Sequence, residues 1–150
     1  MEGALSDKTV AVILELIQGE GGINVADKNF VVALRKICDE KNMLLIIDEV
    51  QTGMGRTAKM FAYQHYDITP DVMTLAKALG GGLPIGAMVA KKEIADTLTA
   101  GRHASTFGGS PLVCKAALAV FRAIQKEKLL SCAQKRSGYL RVRLEGLMSR

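Results

Sequence analysis

Short apolar runs alternate along the chain with stretches whose apolar residues recur at helical spacing. The runs at 9–15, 43–47, 71–75 and 86–90 are rich in β-branched and aliphatic residues, and they predict four strands. The second run is apolar throughout, which is typical of a parallel strand covered on both faces. Strands that alternate with helices indicate an α/β domain with a mostly parallel sheet and flanking helices.

Two of the helical stretches carry start signals. Asp27 is the expected N-cap of a helix that runs to about residue 41. Ser110 followed by Pro111 predicts the start of another helix. The apolar stripes of these helices are Phe30, Leu34, Ile37 and Cys38 in the first, and Leu112, Val113, Ala116, Ala117, Val120, Phe121 and Ile124 in the second. Helices are also predicted at 91–99 and 130–148, with a loop at 51–59 and a helical turn at 59–65.

The charge of the chain is concentrated near its end. The net charge is +5, but residues 115–150 hold nine Lys or Arg against two acids, whereas the first 114 residues hold eleven against thirteen. No aromatic residues interleave with these bases as stacking platforms for nucleic acid would require. The excess therefore indicates solvated helix faces, and we expect no nucleic-acid partner.

The three cysteines are odd in number and far apart. Cys38, Cys114 and Cys132 all lie in helical, apolar contexts, which predicts free core thiols in a reducing compartment. No signal-peptide pattern opens the chain, and its apolar runs are too short to span a bilayer. The free thiols favour a cytoplasmic location, and the short apolar runs favour no membrane contact.

Lys77 and Asp48 are the main candidates for chemistry. Lys77 lies between apolar residues and the glycine triplet 80–82, and Asp48 ends the predicted strand at 43–47. Apolar surroundings disfavour a charged lysine, which lowers its pKa and makes its amine nucleophilic. A buried carboxylate in turn needs a cationic partner. Pyridoxal 5′-phosphate, an aldehyde with a protonated ring nitrogen, would satisfy both groups.

Other interpretations of these residues remain. Asp48-Glu49 after an apolar strand also resembles the acidic end of an ATPase strand, but the chain has no G-x-x-x-x-G-K-[ST] phosphate loop. Lys77 considered alone is most simply a solvated lysine. Ser105 and Thr106 precede two glycines, which suits either phosphate binding or a plain turn. The two histidines, His65 and His103, have no partners at metal-ligand spacing, so we expect no metal site.

Four segments together resemble the class III, pyridoxal-phosphate-dependent aminotransferases, and most of all their acetylornithine and ornithine branch. The segments are LELIQGEGG at 14–22, DEVQTGMGRT at 48–57, TLAKALGGGLPIGA at 74–87 and STFGGSPL at 105–112. This resemblance implies a fold-type I enzyme whose large domain binds the cofactor. It also implies transfer of an amino group from an ω-amine donor, N-acetylornithine first, to 2-oxoglutarate in arginine biosynthesis. Ornithine and 4-aminobutyrate are the alternative donors.

The resemblance implies a role for each matching residue. Lys77 would join the cofactor aldehyde and move the proton of the reaction, and Asp48 would pair with the ring nitrogen. Gln51 would hydrogen-bond the phenolic oxygen of the ring. Glu49 and Val50 would line the same wall.

A second group of residues is implied for the substrate and the phosphate. Thr106 would bind the cofactor phosphate of a neighbouring subunit, which implies a homodimer with shared active sites. Ser105 would lie close to the substrate, and Glu20 would face the substrate pocket.

Three positions depart from the pattern of the family. Leu16 replaces a usual proline and is expected to loosen the strand exit. Ala58 replaces a usual glycine, which matters only where the backbone needs a positive φ. Ser110 replaces a usual asparagine, and both are good N-caps.

The length of the chain also departs from the family, whose members are more than twice as long. We therefore expect a fragment. Residues 1–110 would form the second half of the pyridoxal-phosphate-binding large domain. Residues 111–150 would be helices that lead toward an incomplete C-terminal small domain. Such a piece would expose sheet edges and favour aggregation, and an inactive truncated domain is the alternative to a working enzyme.

Overall fold

A four-stranded sheet forms the centre of the computed structural model, which describes residues 3 and 5–148. The strands lie side by side in chain order. β1, β2 and β3 are parallel, and β4 runs antiparallel to β3. The strands are β1 (Ala11–Glu15), β2 (Leu44–Asp48), β3 (Val72–Leu75) and β4 (Ala87–Ala90). All four lie within or overlap the predicted runs, so the mostly parallel α/β sheet is confirmed.

Four α-helices accompany the sheet: α1 (Lys28–Glu40), α2 (Lys92–Ala95), α3 (Pro111–Lys126) and α4 (Leu129–Met148). Short 3-10 turns occur at Ala62–His65 and Lys77–Gly80. Asp27 caps α1 as predicted, since its carboxylate accepts a hydrogen bond from Phe30 N at 3.0 Å. None of the helices in the described part of the chain has both the length and the apolarity needed to cross a membrane.

One helix prediction needs correction. The helix expected at 91–99 is only four residues long. The Thr97 hydroxyl donates to Ile94 O at 2.7 Å, and such side-chain bonds compete with helix continuation. The start signal at Ser110 and Pro111 is confirmed, since Ser110 is the N-cap of α3 and Pro111 its first residue, although the Ser110 side chain makes no capping hydrogen bond.

Some predicted core positions are exposed. Phe30 is 46% exposed, and its neighbour Val31 is buried in its place. Phe30 faces a groove beside the outer edge of β1, where no strand of the described chain covers it. Leu112 is 71% exposed in the first turn of α3, and Ala117 and Ile124 carry the burial of that helix.

Only one of the three cysteines is fully buried. Cys38 lies in the core against the sheet, where burial raises the pKa of its thiol. Cys132 is exposed on α4, so it is not the core thiol that the sequence predicted. All three are free thiols. The pattern of apolar neighbours misled at Cys132 because no residue of α4 is buried.

The two long helices that pack on the sheet, α1 and α3, lie on the same face of it. Ile47 pairs with Met73 in register, so the two side chains point to one side. Ile47 belongs to the cluster under α1, and Met73 packs with the cluster under α3. The opposite face is open, as Ile13 and Met88, exposed by 62% and 52%, show. That open face also carries the polar residues at the strand ends.

A buried ionic cluster fixes the other end of the sheet. The Asp71 carboxylate precedes β3 and accepts hydrogen bonds from Leu45 N, Arg35 and Lys91, each at 2.7 Å. Burial alone would raise the pKa of Asp71, but these three donors outweigh it and lower the pKa. The cluster therefore joins α1, β2 and the end of β4 through one carboxylate.

Candidate functional site

The polar residues of the site lie at the carboxyl ends of the parallel strands. The register pairs Glu15 with Asp48, and Asp48 with Thr74, so the three lie side by side on one face. In open α/β sheets, ligands bind just beyond this edge. Lys77 follows Thr74 by three residues, at the first position of the turn that leaves β3.

The carboxylate of Asp48 is held from one side. Its Oδ1 atom accepts hydrogen bonds from Val50 N at 2.9 Å and from the Thr74 hydroxyl at 3.1 Å. Asp48 is half-buried, and its side-chain bonds to described residues all use Oδ1, so Oδ2 is available to a ligand. Thr74 was missed from the sequence. A hydroxyl near the end of an otherwise apolar strand was the available signal.

Lys77 has an unusual backbone. Its φ is +43°, in the left-handed region that costs a non-glycine residue about 1–2 kcal/mol. The glycine triplet takes up the reversal that follows, because Gly81 and Gly82 also have positive φ. The side chain of Lys77 is exposed, whereas the sequence predicted apolar surroundings. The apolar neighbours that suggested burial, Leu75 and Leu79, point into the core instead.

Glu49 lies inside the protein. It is 1% exposed, and both of its carboxylate oxygens have partners: the Thr52 hydroxyl at 2.6 Å and Tyr63 N at 2.9 Å. Its backbone N–H also donates to Thr74 O. These contacts fix the turn that carries Val50 and Gln51. The predicted contact of Glu49 itself with a cofactor stays a prediction.

Val50 and Gln51 follow Asp48 at the same edge, half-buried and exposed respectively. The side chain of Gln51 packs against Gly19, which leaves β1. Glu20, the next residue, is exposed. The structure thus brings Asp48, Gln51 and the loop before Glu20 to one edge of the sheet.

Comparison with known proteins identifies the family. The family model described as "Aminotransferase class-III" matches residues 1–150. This chain belongs to the class III aminotransferases. An acetylornithine aminotransferase from Caldanaerobacter subterraneus is 53% identical over 147 residues, which is 98% of this chain and 37% of that protein. The chain spans about a third of the length of the curated relatives it matches, between 32% and 38%.

Solved class III structures have the same fold. The acetylornithine aminotransferase of Elizabethkingia anophelis superposes with a TM-score of 0.87 at 42% identity, over 93% of this chain and 35% of that one. The ornithine aminotransferase of Toxoplasma gondii gives 0.85 at 39% identity, over 89% and 32%. The Toxoplasma gondii enzyme has partial occupancy of PLP at its active site. The class III resemblance predicted from the four motifs is therefore confirmed.

The residues present suit pyridoxal phosphate, on which class III aminotransferases depend. A half-buried carboxylate with one oxygen oriented and the other available matches a cationic ring nitrogen. An exposed lysine on the adjacent strand exit can reach an aldehyde. Within the described residues, no group of three or more His, Cys, Asp or Glu could hold a metal ion.

Ser105 and Thr106 are placed differently from the rest of the site. Both are exposed, on the segment between α2 and α3, and Ser105 Oγ accepts a hydrogen bond from Gly108 N at 3.0 Å. No hydrogen bond between described residues joins them to Asp48 or Lys77. Their predicted contacts with phosphate and substrate stay predictions.

Two departures from the class III pattern gain a structural meaning. Ala58 has a φ of +64°, so the glycine usual in the family would relieve backbone strain there. Leu16 is fully buried in the core beneath α1. Its carbonyl accepts hydrogen bonds from Ala26 N and the Tyr66 hydroxyl. The expectation that Leu16 loosens the strand exit relative to a proline stays a prediction.

Proposed function

We propose that this chain is the Lys77-bearing part of a pyridoxal-phosphate-dependent acetylornithine aminotransferase. The enzyme would transfer an amino group from N-acetylornithine to 2-oxoglutarate, in arginine biosynthesis. The observation that carries the proposal is the pairing at the sheet edge. Asp48 presents one free carboxylate oxygen, and Lys77 leaves the neighbouring strand three residues beyond the Thr74 hydroxyl that orients Asp48.

The proposed roles follow from what each group can do. Pyridoxal phosphate, when bound, supplies an aldehyde for amines and a ring that accepts electrons. Asp48 would hold the ring nitrogen in its protonated form, since an adjacent carboxylate favours the cation. Lys77 would attach the cofactor and carry a proton at Nζ. Gln51 would donate to the phenolic oxygen, Val50 and Glu49 would form the wall, and Glu20 and Ser105 would lie at the substrate side.

The choice of donor rests on the relatives. Those compared at 46–58% identity are named as acetylornithine aminotransferases, one of them also as a succinyldiaminopimelate aminotransferase. The Toxoplasma gondii structure supports ornithine as the second candidate. A homodimer with Thr106 binding the phosphate of the other subunit, and a cytoplasmic location, complete the proposal.

A chimaera tests the proposal. We would replace the matching region of the Caldanaerobacter subterraneus relative with this chain, and call the product the chimaeric enzyme. It should bind pyridoxal phosphate and turn over N-acetylornithine with 2-oxoglutarate faster than ornithine or 4-aminobutyrate. A clear preference for 4-aminobutyrate would contradict the donor assignment. The 150-residue chain alone should show negligible transaminase activity, and measurable turnover by it would show that the site is complete without other segments.

A further inference from the structure

Gly19 and Gln51 lie on neighbouring loops at the carboxyl edge of the sheet. Gly19 follows β1 and Gln51 follows β2, and the pairing of Glu15 with Asp48 brings the two strand ends together. The Gln51 amide lies over the Cα of Gly19. A Cβ built on Gly19 would stand 2.1 Å from Nε2, 2.6 Å from Cδ and 2.8 Å from Oε1 of Gln51. Any side chain at position 19 would therefore displace this amide.

A side chain at position 19 would meet the Gln51 amide, whereas a left-handed backbone does not constrain this position. Gly22, three residues later, has a positive φ, whereas Gly19 does not, so alanine at position 19 would not have to adopt a left-handed backbone. A hydrogen bond also holds the Gly19 peptide, because its N–H donates to Glu15 Oε2 at 3.1 Å. The surface under the Gln51 amide thus has no side chain, and a hydrogen bond holds its backbone.

The amide that rests on this surface has its polar atoms free. No hydrogen bond joins the Gln51 side chain to another described residue. The long flexible side chain would otherwise sample several rotamers, and ordering it costs free energy. Contact with a flat glycine surface limits those rotamers without using the hydrogen-bonding groups of the amide.

We propose that Gly19 is a positioning residue for Gln51. Glu15 holds the Gly19 N–H, and the Gly19 Cα, which carries no side chain, supports the Gln51 amide. This contact sets the direction in which Gln51 Nε2 donates to an anionic oxygen of the bound cofactor. This inference rests on the proposed function. It assigns to the loop after β1 a task on the cofactor side of the site, in addition to presenting Glu20.

Four versions of the chimaeric enzyme test the proposal: the parent, Gly19→Ala, Gln51→Ala and the double variant. We would measure the Kd for pyridoxal phosphate and the pH midpoint of the visible absorption band of the bound cofactor. Gln51→Ala should weaken binding about tenfold, the loss of one hydrogen bond to a charged group. Gly19→Ala should weaken it by a similar factor and shift the midpoint in the same direction. The double variant should bind no more weakly than Gln51→Ala.

Gly86→Ala is the matched control. A Cβ at Gly86 would lie 3.6 Å from Leu75 O, an ordinary contact, and Gly86 has no positive φ. Its Kd should stay within about twofold of the parent, because no hydrogen bond to a charged group is lost. Parent-like binding by Gly19→Ala, or losses that multiply in the double variant, would overturn the proposal.

A second measurement separates this inference from the proposed function. In the ¹⁵N-labelled 150-residue chain, the side-chain NH₂ signals of Gln51 are identified by their loss in Gln51→Ala. They should move in Gly19→Ala and stay in place in Gly86→Ala, while the urea midpoint of unfolding stays constant. Unmoved signals would refute the contact, and a large fall in the midpoint would show a merely structural glycine. Failure of the parent chimaera to bind pyridoxal phosphate would instead refute the proposed function.

Discussion

Residues 9–95 and residues 97–148 differ in how their polar groups are held. In the first region, Glu49, Thr52 and Asp71 are buried, and each has hydrogen-bond partners within the chain. In the second, Ser105 and Thr106 are exposed. Apolar residues of α4 are exposed too: Tyr139, Leu140, Val142, Leu144, Leu147 and Met148.

This difference shows which part of the candidate site the chain can organise by itself. Contacts within the chain orient Asp48 and the turn that carries Gln51. Thr106 is exposed, and no hydrogen bond from a described residue orients its side chain. The sheet edge should therefore tolerate few changes, and the second region should show its role only when a complementary surface is present.

The largest expected effect is at Asp48. Asp48→Asn keeps the shape of the side chain but removes the negative charge that would keep a ring nitrogen protonated. Turnover of the chimaeric enzyme should fall by at least about 100-fold, in line with the loss of a well-placed electrostatic group. Steady-state kinetics on N-acetylornithine would measure it. Thr74→Val, which removes only the hydroxyl that orients Asp48, should cause a smaller loss, and an equal loss would contradict the assigned order.

The ionic cluster at Asp71 should dominate stability. Asp71→Asn leaves Arg35, whose side chain is 13% exposed, without its main partner. Urea unfolding of the 150-residue chain should show a loss of about 3 kcal/mol at pH 7. Glu145→Gln breaks an exposed pair with Arg141 in the second region and should cost less than about 0.5 kcal/mol. Equal losses at the two sites would remove the contrast between the regions.

The same carboxylate gives a pH dependence. The folded pKa of Asp71 is lowered from its ordinary value of 3.8, so its contribution is complete above that value and is lost as the pH falls through the folded pKa. Between about pH 5 and pH 3, the wild-type chain should thus lose more unfolding free energy than Asp71→Asn does. Parallel losses would show that other carboxylates govern acid unfolding.

Thr106 should have a moderate effect that depends on assembly. Thr106→Ala should raise the Kd for pyridoxal phosphate about tenfold, the value of one hydrogen bond to a phosphate, without changing stability. A mixture of Lys77→Ala and Thr106→Ala chimaeric subunits should partly recover activity. In a shared-site dimer, one of the two sites then carries neither change. No recovery, with subunit exchange verified and both parents defective, would exclude a shared site.

The smallest expected effect is a gain. Ala58→Gly relieves a left-handed alanine, and the unfolding free energy of the chain should rise by about 1 kcal/mol. Ala119→Gly, at an exposed position inside α3, should lower it by about the same amount because helical glycine is unfavourable. A fall in the unfolding free energy of Ala58→Gly would mean that packing of the alanine methyl group outweighs the strain of its backbone.

The sequence predicted the strands and α1 better than it predicted which residues are exposed. Apolar runs and the Asp27 cap define strands and α1 locally, so these elements were placed within a few residues. The exposed Phe30 and Cys132 were missed because an apolar stripe does not reveal whether a partner surface is present. For the same reason, the sequence did not reveal that one face of the sheet is open.

Within the candidate site, the sequence identified candidate residues but not the contacts that hold them in position. Lys77 and Asp48 stand out from local pattern alone. The hydroxyl of Thr74 and the bare Cα of Gly19 act on residues that are 26 and 32 positions away, so only the strand register reveals them. The positive φ of Lys77 and Ala58 was likewise established only by the structure.

The covalent position of the cofactor tests the central claim most directly. The chimaeric enzyme would be loaded with pyridoxal phosphate, reduced with borohydride, digested and sequenced by mass spectrometry. The pyridoxyl group should be found on Lys77, and Lys77→Ala should remove it together with turnover. A label on Lys59, Lys91 or Lys92, or one that persists in Lys77→Ala, would contradict the assignment of Lys77 as the residue that holds the cofactor.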